Sequence, residues 1–236
     1  MKSTVDYSEF LVYERAARER GHRTVAGVDE VGRGPLAGPL VVCAVVLDEA
    51  ATLPDGISDS KCLTPTRRET LFEALQSNPA VEAAFSVVTP EEIDRLNILR
   101  ATHVGMYRAL ARLRDCDFAL VDGLPVPGLP VPSRAIVKGD SRSVSIGAAS
   151  VLAKVYRDRC MEDYENTYPG YGFARHKGYP TREHLDALRA LGVSPIHRRS
   201  FGPVARLLNP QPRYVQTEFD FGGESALPER DRHQVD

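Results

Sequence analysis

Apolar positions change their period several times along this chain, and each change marks an expected element. Residues 8–20 carry apolar side chains at helical spacing within a charged stretch, which predicts an amphipathic helix. Residues 23–31 and 38–47 are valine-rich, are bounded by Gly and Pro, and read as strands. A loop then leads into a helix capped near Thr64 with Pro65 in its first turn. Residues 81–89 form a third strand and 97–113 an amphipathic helix. Residues 117–123 read as a short buried strand ending at Asp122, and 125–133 as a proline-rich loop. Residues 134–140 make a fifth strand ending at Asp140, a long helix runs from about Ser143 to Tyr164, and 181–192 form another. Strands in near-meander order, followed by alternation with helices, predict an α/β fold: a mixed five-stranded sheet flanked by helices, with a helical C-terminal part. The expected organisation is an N-terminal helical extension over 1–22, one domain over 23–208, and a polar, disordered tail over 209–236.

With 236 residues, 42% hydrophobic and 26% charged, the chain has an ordinary globular composition. It has no apolar run near the roughly 20 residues of a membrane span, and its charged N-terminus lacks a signal-peptide core. The expected location is cytoplasmic. The four cysteines stand singly, with no C-x-x-C pair to suggest zinc or redox chemistry.

Net charge is −2, yet the distribution is uneven. Residues 133–160 hold six basic and two acidic side chains, and 173–206 hold seven basic and two acidic, whereas the segment from 216 onward is acidic. Such local excess fits either an anionic substrate or a solvated surface, and charge alone does not choose between them.

Carboxylates do more to narrow the reading. Asp29-Glu30, Asp122 and Asp140 all fall at expected strand ends with glycine close by. Strand ends at one sheet edge converge in space, and four converging carboxylates repel one another unless a cation lies among them; hard oxygen donors suit Mg²⁺ or Mn²⁺. Two such ions activate water and stabilise the leaving oxygen of a phosphodiester. Neighbours on a strand point to opposite faces, so Asp29 and Glu30 share a pocket only where the strand ends or bulges, and Gly32 supplies a place for that. The run Gly-Arg-Gly-Pro-Leu-Ala-Gly (32–38) resembles a phosphate-binding loop, but a strand follows it instead of a helix, which excludes a dinucleotide fingerprint. Glycines beside a metal site instead let backbone approach a sugar, and the 2′-hydroxyl is the group that separates RNA from DNA.

Taken together, DEVGRGPLAGPLVVCAVVL (29–47), DSKCLT (59–64), LVDG (120–123), KGDSRSVSIGAASVLAKVYRD (138–158), HKGYPTREH (176–184) and HRRSFGPV (197–204) resemble the bacterial ribonuclease HII family. Gly-Arg-Gly is closer to that pattern than to the Gly-Thr-Gly usual in ribonuclease HIII. The resemblance implies a ribonuclease H-like sheet and a site of Asp29, Glu30, Asp122 and Asp140 holding Mg²⁺ or Mn²⁺, with two metals. It implies hydrolysis of RNA in RNA–DNA hybrids and incision 5′ of a single ribonucleotide in duplex DNA, leaving a 3′-hydroxyl and a 5′-phosphate, work that belongs to replication and ribonucleotide excision repair. It also implies that Gly32, Arg33 and Gly34 read the 2′-hydroxyl, largely through backbone groups, and that Tyr179 packs on the sugar of the deoxynucleotide on the 3′ side; without the resemblance Tyr179 reads as a surface tyrosine in a turn before Pro180.

Other residues have two readings each. Ser60 and Lys61 either hold backbone phosphates or are simply solvated. Lys154 and Arg157 either contact phosphate or serve the helix, with Lys154 placed four residues before Asp158 for an ion pair. His176 and His197 either touch phosphate or are structural hydrogen-bonders. Gln216, Phe219 and Phe221, in the run QTEFDF, resemble peptides that dock on a DNA sliding clamp; the alternative is a tail that folds back. Two rival functions remain open: a catalytically silent hybrid-binding module, and a nuclease of the same fold directed at DNA.

Overall fold

The computed structural model describes residues 7–48, 52–57 and 63–209. Five strands form one mixed sheet: β1 (Val25–Val31), β2 (Leu40–Leu47), β3 (Val81–Val88), β4 (Phe118–Asp122) and β5 (Ser133–Ile136), in the order β3-β2-β1-β4-β5. β1 pairs antiparallel with β2, and β2 with β3, while β4 and β5 run parallel to β1. The expected mixed five-stranded sheet is therefore present.

Helices cover both faces, and the period of β2 shows how. Val41, Cys43, Val45 and Leu47 pack under the long helix α5 (Val144–Thr167) and under α2 (Pro65–Gln76). Val42 and Ala44 point the other way, onto Met106, Ala109 and Leu110 of α4 (Ile98–Leu110). A strand buried on both faces reads as an unbroken apolar run, which is what the valines of β2 provide. Gly27 of β1 faces α5 so closely that a Cβ built on it would lie 2.1 Å from the backbone carbon of Ser145.

Several expected boundaries move. The first helix, α1, covers only Val12–Arg18, preceded by a 3₁₀ turn at Ser8–Phe10. It packs on the core through Ala17, and its buried Glu14 accepts hydrogen bonds at the start of α5 from the Ser143 hydroxyl (2.6 Å), the Ser145 amide (3.1 Å) and the Ser145 hydroxyl (2.6 Å). A carboxylate there satisfies free amides and complements the helix dipole. A further helix, α3 (Pro90–Leu96), precedes α4; its Thr89–Glu92 capping box was present in the sequence as Thr-Pro-Glu-Glu. β5 stops at Ile136 instead of reaching Asp140, because Lys138 adopts a left-handed conformation (φ 56°) that no strand accommodates. The C-terminal part consists of α6 (Phe173–His176), α7 (Arg182–Leu191) and α8 (Gly202–Leu208). Among the described residues no helix is long and apolar enough to cross a membrane. The tail reading over 210–236 lies outside the described residues.

Candidate active site

The acidic residues meet where the parallel strands end. β1 and β4 pair only as far as Val28 and Val121, whereas β1 continues beside β2 through Val31. Beyond Val28, β1 borders an open cleft of about 340 Å³ lined by Asp29, Glu30 and Asp122 with Arg68, Ser150 and Lys154. The expected strand distortion is absent: Asp29 and Glu30 stay in regular register opposite Cys43 and Val42. They share the cleft because the pairing of β1 with β4 has ended, which leaves this edge of β1 open. A larger hollow of about 630 Å³ lies at the other end of β1, beside Val25 and Thr24, away from the carboxylates.

Electrostatically the cleft holds charge under pressure. Burial, then the charge of Glu30, pushes the Asp29 carboxyl well above the usual range, while a hydrogen bond from Ser150 opposes the shift and Asp122 adds to it. Burial also raises Glu30, against the pull of Arg33, whose guanidinium lies 3.4 Å away. Oε2 of Glu30 is buried and accepts no hydrogen bond. Asp122 accepts from the Gly139 amide at 2.6 Å. It thereby ties the end of β4 to the 3₁₀ turn Gly139–Ser141 that carries Asp140, itself 2% exposed. Like Oε2 of Glu30, Oδ1 of Asp140 is buried and accepts no hydrogen bond.

Among the described residues no three His, Cys, Asp or Glu side chains form a ready-made ligand set. That is compatible with Mg²⁺, which is usually held by one or two carboxylates plus water and substrate phosphate. An orphaned buried carboxylate oxygen among mutually repelling neighbours fits a divalent cation.

The glycine loop follows directly. Gly32 turns the chain at φ 100°, a conformation that side chains rarely adopt. Two buried arginines then hold the loop by its carbonyls. Arg157 donates to Pro39 (2.9 Å), Ala37 (3.2 Å) and Lys177 (2.9 Å). Arg198 donates to Gly32 (2.6 Å), Arg33 (3.1 Å) and Gly38 (3.0 and 2.9 Å). Of its two readings, Arg157 takes the structural one here: it is fully buried and braces the loop. Arg198 was missed, since one arginine in a basic run gives no sign of burial. Its pKa is held down to about 9 by burial and by Arg157. A lysine offers no planar fork to span these carbonyls. Arg198→Lys is thus expected to cost about 2 kcal/mol and lower the melting temperature by roughly 5 °C, measured by thermal denaturation; an unchanged melting point would mean the fork is dispensable.

Lys154 lines the cleft while paired with Asp158 at 2.7 Å, so the ion pair is present and the ammonium still borders the site. Tyr179, 40% exposed, stands next to the glycine loop: a Cβ built on Gly34 would lie 3.7 Å from its ring. His176 and His197 are buried, in keeping with the structural one of their two readings. Ser60, Lys61, Gln216, Phe219 and Phe221 lie outside the described residues. Arg68 and Ser150 join the cleft with no warning in the sequence, because only the packing of α2 and α5 brings them there.

The family model for Ribonuclease HII matches residues 26–204, which takes in the sheet except for Val25, the cleft and the glycine loop. The chain belongs to the ribonuclease HII family. A ribonuclease HII from Ruegeria pomeroyi is 55% identical over 197 residues, 83% of each chain. The crystal structure of the ribonuclease H2 from Pyrococcus horikoshii OT3 is similar with TM-score 0.68 at 33% identity, over 78% of this chain and 97% of that one. The structure of the PCNA:RNase HII complex from Archaeoglobus fulgidus is similar with TM-score 0.67 at 28% identity, over 76% of this chain and 96% of that one. The sheet is accordingly a ribonuclease H-like sheet, and the chain is a ribonuclease H, an endoribonuclease.

Proposed function

We propose that this ribonuclease HII hydrolyses RNA in RNA–DNA hybrids and incises duplex DNA on the 5′ side of a single embedded ribonucleotide. The observation that carries the reading is the adjacency of three groups: the Asp29–Glu30–Asp122 cleft, the Gly32–Gly34 backbone leaving it, and the exposed Tyr179 ring beside Gly34. Asp29, Glu30, Asp122 and Asp140 would hold divalent metal, Mg²⁺ or Mn²⁺. When bound, it supplies activation of a water and charge stabilisation at the leaving oxygen. The residues of the chain do the rest. The backbone of Gly32–Arg33–Gly34, held at the Gly32 and Arg33 carbonyls by Arg198, presents polar groups to a 2′-hydroxyl, and its two glycines put no side chain in the way. Tyr179 packs on the adjoining deoxyribose. Lys154 and Arg68 set positive charge beside the phosphate, as positioning contacts that read no sequence. A water oxygen bonds to phosphorus as the bond to the preceding 3′-oxygen breaks, leaving a 3′-hydroxyl and a 5′-phosphate on the ribonucleotide.

The test is a DNA duplex bearing one ribonucleotide, incubated with Mg²⁺ or Mn²⁺ with product ends mapped, beside an all-DNA duplex and a metal-free control. One incision 5′ of the ribonucleotide, and none in either control, is expected. Cutting of the all-DNA duplex would favour the DNA-directed alternative; tight hybrid binding without any product would favour the silent module. Because the archaeal neighbour is a complex with PCNA, we also propose Gln216, Phe219 and Phe221 as contacts to a sliding clamp, and ribonucleotide repair in the cytoplasm as the setting.

A further inference from the structure

Behind Tyr179 lie three buried histidines that take no part in the cleft. His184 is fully buried, His197 is 1% exposed and His176 is 8% exposed. The His176 and His184 rings stack at 4.4 Å, and Phe173 packs edge-on against both. Their hydrogen bonds admit one proton arrangement among neutral rings. A backbone amide can only donate, and the amide of Ser194 meets Nδ1 of His197 at 3.0 Å; the Ser194 hydroxyl, 2.7 Å from the same nitrogen, then donates to it as well. The amide of Gly178 likewise meets Nδ1 of His176 at 3.2 Å. Both rings therefore accept at Nδ1 and carry their proton on Nε2. His176 gives that proton to the carbonyl of Tyr171 at 2.7 Å. His197 gives its own to Nε2 of His184 at 3.1 Å. His184 must then carry its proton on Nδ1, and it donates to the carbonyl of Tyr179 at 2.9 Å. A charged His184 would set two N–H groups against each other. Burial, the largest cause, lowers the pKa of His184 and lowers that of His197 to about 4, in keeping with neutral rings.

The chain thus runs one way, from Ser194 through His197 and His184 to the Tyr179 carbonyl. The Tyr179 amide is held as well, by the carbonyl of His176 at 2.9 Å. A residue whose backbone is anchored at both polar groups, but whose ring is exposed beside Gly34, presents that ring at a fixed place.

We propose that His184 is a positioning residue for the ribonuclease reaction: locked by His197 as the Nδ1–H tautomer, it fixes the turn that presents the Tyr179 ring to the substrate sugar. This rests on the Tyr179 contact proposed above. ¹⁵N NMR of the unaltered protein with labelled histidine tests the proton arrangement without any variant. His184 is expected to be protonated at Nδ1, and His176 and His197 at Nε2; an Nε2–H His184 would overturn the proposal even if no variant folds. In kinetics, an Asn amide stands near where Nδ1 does, whereas a Gln amide reaches only towards Nε2. His184→Asn is expected to stay within about threefold of the parent KM on the single-ribonucleotide duplex, and His184→Gln to raise it about tenfold with kcat within about twofold. Added to Tyr179→Ala, His184→Gln is expected to do nothing more, because residues acting through one contact are not additive. An unchanged KM in Tyr179→Ala would remove the sugar contact and this role with it. A raised KM in Tyr179→Ala beside an unchanged one in His184→Gln, or additive effects, would remove the His184 link alone.

Discussion

Asp29→Asn is expected to abolish cleavage and to make the metal-free protein more stable. The two effects have one cause. Asp29 is buried, and its carboxyl is pushed well up in pKa by burial, by Glu30 and by Asp122. A carboxyl whose pKa is higher folded than unfolded destabilises the fold wherever it is ionised, and the penalty fades as pH falls through the folded pKa. Asparagine removes that charge but keeps an acceptor for the Glu30 amide, now 2.7 Å from Oδ1, and for Ser150. The gain is expected to be about 0.5–2 kcal/mol, a few degrees of melting temperature near neutral pH. Loss of one cation-holding carboxylate forfeits several kcal/mol of transition-state stabilisation, about three orders of magnitude in rate. Melting curves without metal and single-turnover cleavage with it check both halves. Near-normal turnover would unseat Asp29 from the site; a lowered melting point would show that the carboxylates are not repelling one another.

Gly27→Ala is expected to carry a large stability cost for a single added methyl group. The new Cβ would stand 2.1 Å from the Ser145 carbon, 2.3 Å from the Ile146 nitrogen and 2.5 Å from the Ser145 oxygen. These are backbone atoms at the head of α5, so no side chain can swing aside; the helix itself must move off the sheet. Overpacking a close-packed core costs about 1–3 kcal/mol, occasionally more, and a contact against backbone belongs at or beyond the upper end, roughly 10 °C in melting temperature. Because α5 also carries Ser150 and Lys154, the catalytic rate is expected to fall with it. A variant melting within about 2 °C of the parent would mean that helix and strand are not in contact at this point.

How legible the protein was depended on the range of the interactions. The strands of valine and the amphipathic α4 follow from local period, and both appear where the sequence placed them. Asp29, Glu30 and Asp122 could be singled out because carboxylates at the end of apolar runs are anomalous wherever they occur. The run 134–137 reads as a strand that carries on to Asp140, since nothing in it hints at a left-handed Lys138. Arg157 and Arg198 were illegible for a deeper reason: a guanidinium that braces a loop and one that grips a phosphate look the same in one dimension. What separates them is burial among carbonyls that, apart from that of Lys177, come from residues 118 to 166 positions away. The histidines share this property, since their roles are set by which backbone amides point at them.

The contact between Glu14 and the head of α5 has a consequence for the order of assembly. Glu14 and Ser143 are 129 positions apart. During synthesis the first helix leaves the ribosome long before the segment that it must cap, and its carboxylate stays hydrated until then. The wall of the cleft formed by α5 is completed only when the beginning of the chain returns to meet it, so no nascent fragment ending short of that segment can hold a finished cutting site.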